Sequence, residues 1–174
     1  MKRFHPELMV RPQVVLKEDE GELSLAVHLG SEIVDRVREH GWSNLELHEF
    51  MTAAEEISHF LYLGYSATQD KQVSLLDVEV QAEIDKFLLA LHYFPDDEEV
   101  ITRLFERIHW REGLTKAEEW RYREANRLGL RMATWINQNV REGTMQSDTV
   151  EFLRLFYRME TTKRLSKVEK MKRI

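Results

Sequence analysis

Apolar residues recur along most of the chain at three- and four-residue spacing, and in one early stretch at every second position. From residue 23 to 29, Leu23, Leu25, Val27 and Leu29 alternate with Ser24, Ala26 and His28, the period of a strand. Residues 13–17 alternate more weakly and are β-branched. Residues 18–22, charged and containing Gly21, join the two runs as a turn. The pattern predicts an N-terminal β-hairpin over about 13–29, with His28 on its outward face. A lone hairpin is marginal in water, so its Leu/Val face is expected to pack on helices.

The rest reads as helices. Ser31 is a candidate N-cap for a helix to His40, closed by Gly41. Ser43 with Glu46 has capping-box spacing and opens a helix to about Leu63. Residues 66–73 are polar and read as a loop. Ser74 caps a helix that stops before Pro95. Asp96 with Glu99 predicts a helix to about Trp110, broken by Gly113. Thr115 with Glu118 predicts one to about Arg141. Ser147 or Asp148 caps a last helix whose apolar face is Phe152, Leu155, Phe156 and Met159. The expected fold is therefore mainly α: about six helices in an orthogonal or bundle-like arrangement with a small N-terminal hairpin. We expect one domain over 1–174, with a helical body over 31–160 and a basic tail over 161–174 that frays or extends the last helix.

The longest continuous apolar run, Phe87 to Leu91, is far short of the roughly 20 residues that span a bilayer. The start has no apolar core of a secretory signal. A membrane association is not expected. The 174 residues contain no cysteine, which removes disulfide scaffolds, thiolate zinc sites and cysteine chemistry and suits a cytoplasmic location. Charge is unevenly placed. Residues 1–100 hold 8 basic and 21 acidic side chains, or -13; residues 101–174 hold 17 and 10, or +7.

Candidate chemistry begins with Glu56-Ile-Ser-His59 and Glu106-Arg-Ile-His109, preceded by Glu32 and Glu83 on earlier helices. This order of ligands resembles that of ferritin-like di-iron proteins, a resemblance that implies iron or another divalent metal at Glu56, His59 and Glu83. Helical geometry argues against it. At 100° per residue, Glu32, Glu56, His59 and Glu106 point roughly 140–170° from their apolar faces. A second, weaker apolar arc at Leu45, Phe60 and Leu63 offers Glu56 and His59 another place to be buried. Glu83 alone lies within an apolar arc. Glu79, Glu83 and Lys86 share one line of their helix and read as a buried polar network with His59 as a partner, because buried charges are normally paired. Residues 55–60 and 81–87 (Gln-Ala-Glu-Ile-Asp-Lys-Phe) resemble segments of bacterial proteins of unknown function, which implies no activity.

Other templates are missing. His-Glu-x-x-His, a Gly-rich phosphate loop and a Gly-x-Ser-x-Gly elbow do not occur. Arg103 and His109 resemble the Arg-to-His motif of HEPN ribonucleases, but point roughly 120° apart. In the basic half, Arg123, Arg127 and Arg131 recur at four-residue spacing opposite an apolar face of Ala117, Ala125, Leu128, Met132, Trp135 and Ile136. Lys163, Arg164, Lys167, Lys170, Lys172 and Arg173 follow in the tail. Arginines beside Trp120 suit phosphates and stacked bases, so nucleic acid is one partner class. A sequence pI near 5.7 favours a protein partner or a second copy of the chain instead. The functional expectation is a non-catalytic binding or regulatory protein without a cofactor, using these basic residues as its contact surface. The alternative is the carboxylate–histidine metal protein.

Overall fold

The computed structural model describes residues 13–19, 22–95, 97–108, 110, 112–141 and 144–171. The fold is mainly helical. Strands β1 (Gln13–Asp19) and β2 (Glu22–His28) form the expected antiparallel hairpin. Helices α1 (Ser31–His40), α2 (Leu47–Thr68) and α3 (Leu75–Tyr93) follow. A short π-helical turn at Thr102–Glu106 leads to α4 (Lys116–Gln138). A two-residue hairpin, β3 (Val140–Arg141) with β4 (Thr144–Met145), precedes α5 (Ser147–Arg158) and α6 (Thr161–Glu169).

Several boundaries follow from local chemistry. The Ser74 hydroxyl accepts from the Asp77 N–H at the start of α3, and Thr115 and Glu118 form a reciprocal capping box on α4. Gly41, at φ 78°, closes α1 through its N–H to the Val37 carbonyl. Other boundaries correct the sequence reading. Gly30, not Ser31, is the N-cap of α1, and no side chain caps it. The reciprocal contact at the start of α2 runs from the Glu46 N–H to the Glu49 carboxylate, so the helix begins later than Ser43. Helix α2 also continues through Gly64 to Thr68, where a loop is expected. At α5 the N-cap is Gln146, and Ser147 is already helical. Asp96 lies outside the described residues.

The expected 96–110 helix shrinks to the π turn. Its i→i+5 bond from the Arg107 N–H to the Thr102 carbonyl is 3.0 Å long. The extra residue per turn brings both Leu104 and Phe105 into the core, where Phe105 lies 6.2 Å from the Phe87 ring. Asn126 of α4 donates to the Phe105 carbonyl at 3.0 Å. The tail differs most. Residues 161–169 form the separate helix α6, and Arg164 and Val168 are buried. On α5, Phe156 is buried while Leu155 is 52% exposed. Ala117 on α4 is exposed rather than part of the core face.

Helix α3 is central. It packs against α2 on one side and α4 on another, and buries residues around most of its circumference. Val80, Ile84, Phe87 and Ala90 join a core that extends from Ile33 to Val168. Asp77, Glu79, Gln81 and Lys86 of the same helix are buried too. Gly129 lets α4 approach α3 closely: a Cβ there would sit 2.5 Å from the Glu83 Cβ. The hairpin lies on α2, with Leu25 at 3.5 Å from where a Cβ of Gly64 would be. Its apolar face is only half covered, since Leu16, opposite Leu25, is 51% exposed.

Candidate functional site

The α2–α3 interface is a ladder of polar pairs between antiparallel helices. Lys86 donates to Glu55 at 3.0 Å. Ser58 donates to Asp85 at 2.6 Å. The His59 Nε2 lies 3.2 Å from Glu79 Oε2, and Tyr62 donates to Asp77 at 2.7 Å. On α2 these residues run from Glu55 to Tyr62, and on α3 in the opposite direction from Lys86 to Asp77. The pairs explain why the apolar arcs of α2 misplace His59: the side facing α3 is polar because its partner is polar.

At one end of the ladder the charges are dense. Lys86, with a side chain 6% exposed, bridges Glu55 and Glu83, the latter at 2.9 Å. Arg121 of α4 reaches Glu79 Oε1 at 3.3 Å. The His59 Nδ1 is 3.8 Å from Glu56 Oε2. Glu83 therefore pairs with Lys86 and does not meet His59. The expected trio Glu56, His59 and Glu83 does not assemble. The atoms that converge belong to Glu55, His59 and Glu79, one from each lying within 4.8 Å of the others. In the sequence Glu55 is marked only by standing beside Glu56 in the first Glu-x-x-His segment, and nothing local singles out Glu79 as a ligand. Glu32 and Glu106 are exposed, so the four-helix ferritin-like order is not formed. His109 lies outside the described residues, and Arg103 pairs with Asp97.

The electrostatics follow from burial and pairing. Burial alone would lower the His59 pKa. Contacts with Glu56 and Glu79, and the negative charge of Glu79 and Glu55, overcome that and raise it to about 9. Burial pushes Glu55 upward, but the charge and hydrogen bond of Lys86 outweigh it and hold Glu55 below the usual value. In Glu83 burial wins and the pKa rises. Burial also opposes the charge on Lys86, yet Glu55 and Glu83 raise its pKa. Beside this cluster is a cleft of about 230 Å³, where Glu55, Glu83, Lys86 and Tyr122 face Met51 and Trp110.

Asp85, lower on the ladder, titrates differently. Burial raises it from 3.8 to about 6, against the hydrogen bonds from Ser58 and Gln81. A raised folded pKa contributes stability that is present below the unfolded value and lost as pH rises through about 6. Asp85→Asn is expected to remove that loss. In urea titrations it should gain about 1–3 kcal/mol at pH 7 and nothing near pH 4. A variant less stable than wild type at pH 7 contradicts the assignment.

The far end of the ladder holds Arg164. This corrects the reading of the tail as a contact surface: the Arg164 side chain is fully buried. It meets Asp77 Oδ1 at 3.2 Å and Gln81 Oε1 at 2.5 Å, hydrogen-bonds Tyr62, and lies over the Tyr62 and Phe156 rings. Lys71 and Thr161 add donors to Tyr62 and Asp77. The arginine row also turns inward. Arg127 pairs with Glu124 at 2.6 Å and with Glu169 of α6 at 2.5 Å. Arg131 donates to the Glu169 carbonyl, a cation at a helix C-terminus. Arg123 stays on the surface, paired with Glu119 and 5.1 Å from the Trp110 ring. Lys163, Lys167 and Lys170 are exposed, and Lys172 and Arg173 lie outside the described residues.

The chain is thus a helical protein with a buried carboxylate–histidine–lysine cluster. No protein-family model, curated protein or solved structure matches it. Among the described residues, no helix is long and apolar enough to cross a membrane.

Proposed function

We propose that the protein binds a divalent transition metal through Glu55, His59 and Glu79. The observation that carries this is their convergence from two facing helices. One imidazole and two carboxylates suit a borderline-to-hard divalent ion, and leave coordination positions open. Ligands around such an ion stand about 3.5 Å apart, so the widest separation in the trio needs to close by about 1 Å. Two further features fit. The His59 Nε2 is buried and makes no well-aligned hydrogen bond, although Glu79 is near. Lys86 and Arg121 hold oxygens of Glu55 and Glu79, as outer partners orient ligands in metal sites.

Titration calorimetry of the full chain with Zn²⁺ and Mn²⁺ tests this. One ion per chain is expected for at least one of them. His59→Ala and Glu79→Gln should each weaken binding at least tenfold, while Glu56→Gln should not. Binding below a tenth of an equivalent, or an affinity indifferent to both variants, overturns the reading.

The exposed lysines favour a second role, as a non-catalytic binding protein of the cytoplasm. Lys163 and Lys167 of α6 and its C-cap Lys170 line one surface, and offer positive charge to an acidic protein partner or a second copy. Nucleic acid is the weaker match, because Arg127 and Arg131 are engaged by α6. Charge reversal of the three lysines should abolish any concentration-dependent dimer seen by sedimentation. A dimer of unchanged strength removes this face from the self-contact.

A further inference from the structure

A cleft of about 450 Å³ opens where α2, α3 and α5 meet. Its walls include Tyr65 of α2, Leu88 of α3, and Leu153 and Tyr157 of α5, with the two tyrosine rings 5.1 Å apart. Two cations stand at its edge, Arg154 and Arg158. They are one helical turn apart, and both are exposed. Every other arginine whose side chain is described lies within 3.7 Å of a carboxylate oxygen. Among the described residues, Arg154 and Arg158 have no such partner.

We propose that this cleft binds a small amphipathic anion, with its charged head on Arg154 and Arg158 and its apolar tail along Leu88, Leu153 and the tyrosines. The cleft has the size of small-molecule sites, about 300–1,000 Å³, which are mostly apolar with a few placed polar groups. Guanidinium groups one turn apart match a head with several acceptor oxygens: carboxylate, sulfonate or phosphate. The nearby carboxylate of Asp85 is turned to Ser58 and Gln81 and leaves the arginines free. The apolar wall requires a tail, which separates this site from a simple surface for inorganic anions. It shares no residue with the metal ligands, so the two readings stand or fall separately.

The test is titration calorimetry of the full chain with monomeric decanoate, with acetate, and with vesicles of phosphatidylcholine and phosphatidylglycerol. Saturable one-to-one binding of decanoate is expected, with acetate at least tenfold weaker. Arg154→Ala with Arg158→Ala should weaken decanoate at least tenfold, and Leu153→Asn should weaken it with both arginines kept. Lys163→Ala should change nothing. Circular dichroism checks that each variant stays folded; the two arginines are exposed, so their loss should leave the fold intact. The proposal is overturned if decanoate shows no saturable binding, if acetate binds equally well, or if the double arginine variant stays within twofold of wild type. Capture by vesicles without binding of the monomer also overturns it, and assigns the arginines to a lipid surface.

Discussion

Arg164→Leu is expected to destabilise the protein by about 3–5 kcal/mol, the usual consequence of removing one partner from a buried ion pair. Leucine takes away the cation but leaves Asp77, which is fully buried, with its carboxylate facing the gap. Gln81 loses a donor at the same time. Because whole domains are stable by only about 5–15 kcal/mol, the variant should unfold at markedly lower urea. Exposed pairs set the contrast. Arg38 and Asp35, with side chains 74% and 62% exposed, belong to the class worth about 0–1 kcal/mol. The test is a cycle of Arg164→Leu, Asp77→Asn and the double variant by urea denaturation. The double variant should lose less than the two single losses combined, because the stranded charge is gone. Simple additivity, or a loss below about 1 kcal/mol for Arg164→Leu, contradicts this account. Arg164→Lys should fall between, since an ammonium cannot span Asp77 and Gln81 as a planar fork does.

The second large effect is at Lys86. Its ammonium serves two carboxylates from a site that is nearly closed to water. Lys86→Met preserves most of the stem and leaves Glu55 and Glu83 facing each other without a cation. A loss of about 3–5 kcal/mol is expected at neutral pH. At this chain length that corresponds to a fall in Tm of roughly 6–20 °C. Adding Glu83→Gln to Lys86→Met should restore part of the loss, because it removes one of the two stranded charges. A double variant no more stable than Lys86→Met would show that the side chain matters for its packing and not for its charge.

Both effects lie in the part of the molecule that periodicity reads worst. The hairpin, the first helix and the caps at Ser74 and Thr115 were legible because each depends on neighbours in sequence. The grouping of Glu79, Glu83 and Lys86 on one line was legible for the same reason. The partners were not. On α2, Glu56 and His59 point away from the apolar arc of Phe50, Ala54 and Ile57, which reads as a direction toward water. The structure places α3 there, with Glu79 waiting. A polar residue facing solvent and one facing a complementary helix have the same one-dimensional pattern. Glu55 rather than Glu56 joins the converging trio because Glu55 and His59 are four apart and share a line, whereas Glu56 approaches the other ring nitrogen. The tail misled for a related reason. Six cations against one acid look like a solvated segment, and no local signal marks Arg164 as the one that enters the core. The π turn was invisible because α-helical spacing selects Val100, Ile101, Leu104 and Ile108, while the wider turn also buries Phe105.

The location of Arg164 also bears on how the chain is made. Its partners Tyr62 and Gln81 lie 102 and 83 residues earlier. A ribosome delivers α2 and α3 long before it delivers α6, and contacts of such separation close late. Until then Asp77 has no guanidinium, and the nascent helices must remain loose enough for water to reach it. The native packing around Asp77 therefore closes only after α6 has been made, gated by the emergence of a single residue.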